Sequence, residues 1–396
     1  MLSNFVGNYA AVLKQPGALR FSLTGLVARL PISMVTLGIV LLVSARTGSY
    51  AAAGRVSAAY VIANALAAVP QGRLMDRLGQ RRVFGIGSMV FALGLGTLIY
   101  AVLHGWSAPW PHLAAILTGL AQPIIGSGVR ARWQHLLDDP EHLQTAFAFE
   151  AVSDELVFMV GPTLVTFLAT LVHPAAGLLT ALAVGLVGGL ALAAQRSTEP
   201  PVLAAHAHGE RVRMPWGALL PLTLGGASLG ILFGATEVAT VAFADEVSTK
   251  AFSGLLLAIW SFGSLLAGVV TGAVTWKIGT LARLRRGAFA LTLMMMITPF
   301  IGVLWLQAVV LFGAGFAISP TLIAAVSRLE EVTPRARFSE AMGLLHTGLA
   351  AGTAPGAAFG GLVVDHYGGS AAYWIGVAGA GLALLCGLLA REPKAD

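Results

Sequence analysis

The sequence predicts an all-α membrane protein whose twelve transmembrane helices form two six-helix halves, and three observations predict it. Apolar side chains make up 57% of the 396 residues and charged ones only 11%, too few to coat a water-soluble globule of this length. The apolar residues fall in runs of about 20, the length a helix needs to cross the hydrocarbon. A pattern of glycine, acid and arginine after the second run returns in weakened form after the eighth.

Because no water reaches the bilayer core, each run must satisfy its own backbone amides and is therefore a helix. Cut at charge clusters and at Gly, Pro and Ser turns, the runs cover 20–44, 51–73, 83–104, 110–133, 144–171, 174–195, 217–244, 251–276, 286–304, 306–328, 339–364 and 371–390. The first follows Lys14 and Arg20, is longer than a signal-peptide core, and is expected to be retained. The longest polar interruption, QRSTEPPVLAAHAHGERVRMP from Gln195 to Pro215, follows the sixth run. The domains are therefore expected at 1–195 and 216–396, joined by a cytoplasmic linker at 196–215. His206 and His208 in that linker have no further ligands beside them and read as solvated loop residues, so no metal is expected.

Charge sets the orientation, since cytoplasmic loops carry the Lys/Arg excess. With the N-terminus inside, most basic residues from Lys14 to Lys394 fall on that side, and only Arg46, Arg55 and Lys250 lie near the other. Both termini are thus expected in the cytoplasm, in a multi-pass protein of the cell membrane. The net charge of +6 does not imply nucleic acid, because the arginines sit between apolar runs rather than on a soluble basic face. The lone Cys386 excludes an intramolecular disulfide and a zinc site built on cysteine pairs. No HExxH or GxxxxGK[ST] occurs, and the one GxSxG, Gly226 to Gly230, lies inside the seventh apolar run rather than at a strand-to-helix turn, so neither an enzyme nor a cofactor is expected.

Between the second and third runs stands GRLMDRLGQRR, with Gly72, Asp76, Arg77, Gly79, Arg81 and Arg82. Its spacing returns as Gly272, Trp276, Lys277 and Gly279, followed by Arg283, Arg285 and Arg286, as in a duplicated transporter. This loop resembles the signature of the major facilitator superfamily, and the resemblance extends over the chain through the twelve runs and the mid-chain linker. It implies two six-helix bundles that rock about a cavity lined by helices one, four, seven and ten. In the loop, Gly72 and Gly79 would allow close helix approach and a tight turn. Asp76 would face the positive N-terminal end of another helix, in this family the eleventh, here near Ser339. Arg77 would brace Asp76, while Arg81 and Arg82 would meet anionic headgroups. The cluster thus reads as a latch that holds the outward-facing state. A plain positive-inside anchor explains the arginines but not the acid or the glycine spacing. Trp276 in place of the acid makes a second latch weaker or absent.

An ionised side chain near the bilayer centre costs about 2.5 to 3.5 kcal/mol and usually faces a cavity or a partner. Glu150 and Asp154 share a face of the fifth run, with Glu155 beside them, which suits the group to loading and releasing a proton. Arg29 lies at similar depth in the first run and is expected to pair with Asp154 or Glu155; a purely structural ion network is the alternative. Glu237, in the outer part of the seventh run, reads as a site for a cationic substrate, a proton acceptor, or a hydrated interfacial group. His346 reads as a packing residue more than a coupling one. Arg130 and Arg132 are expected to pair with Asp138, Asp139 and Glu141, with Arg130 joining Glu150 and Asp154 as the lesser alternative. Gln122 and Pro123 suggest a kink, and Gln122 a substrate contact.

Gly161-Pro162 resembles the Gly-Pro element of the superfamily's antiporter motif, although Ser153 and Val157 stand where glycines are expected. Export is favoured on that basis. Gly348, Gly352, Gly356 and Gly360 form a stripe expected to serve helix packing. Met34, Phe233, Phe243, Phe312 and Phe316 are the expected apolar cavity walls and suit a lipophilic compound better than a free sugar. The sequence thus reads as a monomeric secondary exporter whose partners are a small lipophilic molecule, protons and membrane lipids. A proton-coupled importer or uniporter of a metabolite such as a sugar or amino acid is the alternative. A sensor or lipid scaffold fits less well, because no soluble domain is apparent.

Overall fold

The computed structural model describes residues 12–202, 214–273, 278–334 and 338–390. The first half contains α1 (Ala18–Thr47), α2 (Tyr50–Leu78), α3 (Gln80–Leu103), α4 (Trp110–Ala121), α5 (Ile125–Leu136), α6 (Pro140–Leu171) and α7 (Ala176–Ala193). The second contains α8 (Trp216–Val247), α9 (Ala251–Ala273), α10 (Thr280–Ile297), α11 (Leu304–Val332), α12 (Phe338–Tyr367) and α13 (Gly369–Leu389). Among the described residues, eleven helices are long and apolar enough to cross a membrane, α4 and α5 together forming one of them. The twelfth crossing is α10, which Arg283, Arg285 and Arg286 in its first two turns set apart. His206, His208, Trp276, Lys277 and the side chains of Asp76, Glu141 and Ser339 lie outside the described residues.

The fourth crossing breaks rather than kinks. Pro123 has no N–H to continue the ladder, so α4 ends at Ala121 and α5 begins at Ile125. The carbonyls this frees are taken up by α2: Gln71 Nε2 donates to the oxygens of Leu120 at 2.8 Å and Gln122 at 3.0 Å, as a bilayer interior requires. The second crossing runs past the end expected for it. Nothing in RLMDRL breaks a helix, so α2 continues to Leu78 and stops only where Gly79 takes φ +83°.

Each half packs on small residues. In the second half, α8 lies against α12 and α13. Gly230 and Gly234 of α8 meet the carbonyls of Leu349 and Thr353, while Gly352 and Gly356 of α12 meet those of Ala227 and Ile231. In the first half, Gly188 of α7 sits on Ala28 of α1. Two seams join the halves, α2 with α12 and α6 with α9.

The turn after α2, the end of α7 and the start of α1 share one face, here called the near face: Arg81 N–H donates to Glu199 at 2.8 Å, and Gln195 Nε2 to Thr24 at 3.0 Å. The opposite, far face holds the start of α2 and the end of α12.

A Cβ on Gly352 would collide with backbone, and overpacking costs about 1 to 3 kcal/mol. Gly352→Val should therefore lower the thermal unfolding midpoint of the purified protein. Gly343→Val, in the same helix with nothing within 4 Å, should leave it unchanged.

Candidate functional site

The far face is closed in part by a carboxylate that belongs to the second half and caps a helix of the first. Asp365, near the end of α12, accepts from the backbone N–H of Tyr50 at 2.7 Å and of Ala51 at 2.9 Å, and from Ser49 Oγ at 2.7 Å. These amides open α2 and have no partner within their own helix, and an anion there also meets the positive end of the helix dipole. Around it, Lys250 Nζ lies 3.3 Å from Asp245 and 5.3 Å from the centre of the Tyr50 ring. Glu246 caps α13 by accepting from Gly369 N–H at 2.6 Å.

The second seam depends on a missing hydrogen bond. Pro162 inside α6 leaves the carbonyl of Phe158 without its helical donor, and Ser261 Oγ of α9 donates to it at 3.2 Å. Thr163 Oγ1 donates to the Gly254 carbonyl at 3.3 Å in the same seam. The preceding Gly161 lies against Ser33 and Met34 of α1. The Gly-Pro pair thus presses α6 onto α1 and offers a carbonyl to α9.

On the near side of these seals, charge gathers at mid-helix. Arg29 of α1 reaches Glu150 and, at 3.0 Å, Asp154, both on α6. Arg130 of α5 holds the other oxygen of Asp154 at 2.7 Å. Trp133 Nε1 donates to Glu150 at 2.8 Å. Glu150 and Arg29 are buried, but Asp154 and Arg130 are 34% and 37% exposed. His346, on α12 of the other half, is exposed and within electrostatic reach of both Arg130 and Asp154. Arg130, Asp154 and His346, partly or fully exposed and drawn from both halves, thus face one another across a gap at mid-helix.

Several expectations change. Arg29 takes Glu150 as well as Asp154, and not Glu155, which is half-buried beside Asp154. Arg130 does not turn to the acidic loop; its partner is Asp154. Arg132, two residues on, points the opposite way, is wholly buried, and bonds to Gln80, Thr198 and the carbonyls of Leu192 and Gln195. Asp139 instead caps α6, accepting from His142 N–H at 3.0 Å. Met34 is packed between α1 and α6, and Phe243 faces Tyr373 of α13, so neither lines the gap. Phe316 lies 39% exposed on the same stripe of α11 as Trp305 at 69% and Val309 at 59%. At Phe312 and Phe316 the stripe lies beside α9, whose Gly263 meets their backbone. Phe312 belongs to it and packs on Phe262. Gln122 is buried in the break of the fourth crossing, its Oε1 without a partner. Phe233 and Glu237 are half-buried on one face of α8.

In the signature loop, Gly79 needs its positive φ, and a Cβ there would also press on Glu199 at 2.8 Å. Gly72 makes no close approach: the nearest atom to a Cβ there is Ile124 Cδ1, at 4.0 Å. Arg77, Arg81 and Arg82 line a near-face pocket of about 690 Å³ with Arg196 and Glu199. Its place outside the seams sets it apart from the charged gap. In the second copy, Gly279 has φ −61° and makes no left-handed turn. Asp365, Asp245, Lys250, Glu246 and Trp133 did not emerge from the sequence; their partners lie on other helices, and no local spacing marks them.

A bundle of membrane-crossing helices in two halves, sealed on one face and charged at the centre, is the build of a membrane transporter. The chain belongs to the Major Facilitator Superfamily, whose sequence model matches residues 21–329 and again 222–396. Among solved structures, the chain is similar to a POT family transporter in complex with 5-aminolevulinic acid (10% identity, 94% of this chain and 95% of that one, TM-score 0.75). It is also similar to a D-xylose-proton symporter (15% identity, 93% and 96%, TM-score 0.68) and to the human organic anion transporter MFSD10 (16% identity, 94% and 98%, TM-score 0.63). At these identities the likeness shows the fold. No curated protein sequence matches the chain.

Removing one member of a buried pair strands the other, at about 3 to 5 kcal/mol, whereas replacing both by apolar groups is far less costly. Glu150→Leu leaves buried Arg29 with Asp154 alone and Trp133 Nε1 without its acceptor, so it should lower the unfolding midpoint, and adding Arg29→Met should recover part of the loss. An additive double variant would show that the pair does not act as a unit.

Proposed function

We propose that the protein is a secondary active exporter, driven by inward proton flow, that discharges a small lipophilic organic compound across the cytoplasmic membrane. Its two halves, residues 1–195 and 216–396 joined by 196–215, rock about the charged gap. The near face is read as cytoplasmic, with both termini, because Arg81, Arg82, Arg196 and the arginines of α10 lie there. The observation that carries this reading is Asp154, a partly exposed carboxylate held between two arginines at the edge of the gap.

Asp154 is the exchangeable acid of the cluster. Glu150 is buried and also held by Trp133, so a proton entering the gap meets Asp154 first, with Glu155 one residue away. Protonation from the outside loosens Asp154 from Arg29 and Arg130, the outer side closes, and Asp365 recaps α2. Substrate arriving from the cytoplasm then competes with the retained proton. Gly72, Asp76, Arg77, Gly79, Arg81 and Arg82 form the opposing latch, which holds the outward-facing state. The Gly161-Pro162 element supports export over import.

Proteoliposome flux under an imposed pH gradient tests the direction. Proton-driven expulsion is expected, and uphill uptake with an alkaline interior contradicts export. Asp154→Asn should reduce coupled flux at least about tenfold, since it removes the exchanging proton. If substrate efflux and proton flux both persist at unchanged rates and pH dependence, Asp154 is structural.

Asp365→Ala should favour opening at the far face. With spin labels at positions 47 and 367 in a Cys386→Ser background, the distance distribution should gain a longer component. An unchanged distribution would mean that the cap does not set the equilibrium.

A further inference from the structure

Glu237 is the acid that neither the seal nor the charge network uses. It lies eight residues before Asp245 on α8, about 12 Å below the sealed face at 1.5 Å per residue. α8 touches α9, α11, α12 and α13 of its own half and α1 and α2 of the other, and the nearness of Tyr60 on α2 puts this acid toward the other half. Among the described residues it has no hydrogen bond or ion pair, and no basic group within electrostatic reach. Its surroundings are aromatic. Phe233 is one turn away on the same face, with its ring 5.5 Å from that of Trp260 on α9. Tyr60 of α2, on the other half, is within electrostatic reach of the carboxylate. The indole N–H of Trp260 is buried without a partner.

An uncompensated carboxylate at this depth calls for a proton or a cation, and among the described residues the protein supplies no cation. Ring faces attract cations, more strongly where water is excluded. A group serving only as a proton acceptor needs no such wall.

We propose that Glu237, with Phe233, Trp260 and Tyr60, forms the subsite for the positively charged centre of a lipophilic organic cation. This rests on the transport reading above and names its substrate class. The subsite draws on both halves: Tyr60 comes from one, and Glu237, Phe233 and Trp260 from the other. Rocking the halves therefore separates Tyr60 from the carboxylate, weakening the site as the far face opens. An exporter needs that change in affinity, tight on the loading side and loose on the release side.

Tetraphenylphosphonium and tetraphenylborate, ions of one shape and opposite charge, test the proposal. Each is titrated against the full-length protein in phosphatidylcholine nanodiscs, without any gradient. The phosphonium is expected to bind at least about tenfold more tightly than the borate, and Glu237→Gln to lose at least about tenfold of that affinity. Glu237→Asp, which keeps the charge, should retain most of it. Absence of phosphonium binding, equal binding of the two ions, or full affinity in folded Glu237→Gln overturns the subsite. If Glu237→Gln does not fold, the preference between the ions and the Glu237→Asp result still decide. Binding is read without flux, so export can fail in proteoliposomes while the subsite stands, and the reverse.

Discussion

The structure rests on one constraint: inside a bilayer there is no water to satisfy a polar group, so each must find its partner in the protein. Most of the fold can be read as the working out of that rule. The break at Pro123 is tolerable because Gln71 covers the carbonyls it exposes. The proline of α6 is tolerable because a serine from the other half takes the carbonyl it frees. In the second case the compensation crosses a seam, so a local helix defect becomes a joint between the two halves. A polar partner reached across a seam can be given up and regained, whereas an apolar contact of the same area carries no such directional demand.

Asp365 applies the same rule at a helix start. The orphan amides of α2 would bind water if the far face were open, and they bind a carboxylate when it is closed. The exchange is close to balanced, since hydrogen bonds to water are traded for hydrogen bonds to protein. Near balance is what a rocking bundle requires: a seal of bulk apolar contact alone would hold one state too firmly. The proposed near-face latch around Asp76 would work in the same manner, an acid from one half against a helix start in the other.

Much of this was legible in the sequence. The twelve crossings follow from run length and charge placement, because the bilayer imposes both on every segment separately. The association of Arg29 with α6 follows because charges at equal depth in oil have few partners to choose from. Other features were not legible, for reasons of geometry. Asp365 is a single acid at the end of a run, and its partners are more than 300 residues away; nothing near it in the chain marks it. Phe243 sits on a crossing expected to line the gap yet faces Tyr373, because the side of a helix that faces inward depends on packing, and α8 is too uniformly apolar to reveal it. The signature segment read as a loop because it is charged, yet charge at a membrane surface does not break a helix, and only Gly79 does.

Arg130 and Arg132 show how one helix serves both rigidity and motion. Two residues apart on α5, their side chains point about 200° apart around the axis, one into the gap and the other into the first half. Arg132 binds neutral acceptors on α3, on α7 and just beyond it. Two of these are backbone carbonyls, of Leu192 in the last turn of α7 and of Gln195 just beyond it. It thereby ties three helices of one half into a unit and gives that half a fixed shape. Arg130 meets a carboxylate at a wetted edge, where the pair can part at moderate cost because water can replace each partner. A bundle that rocks as two bodies needs bonds of both kinds: those within a half must survive the movement, and those facing the gap must be able to break. The same chemical group fills both roles here, and burial decides which one it plays.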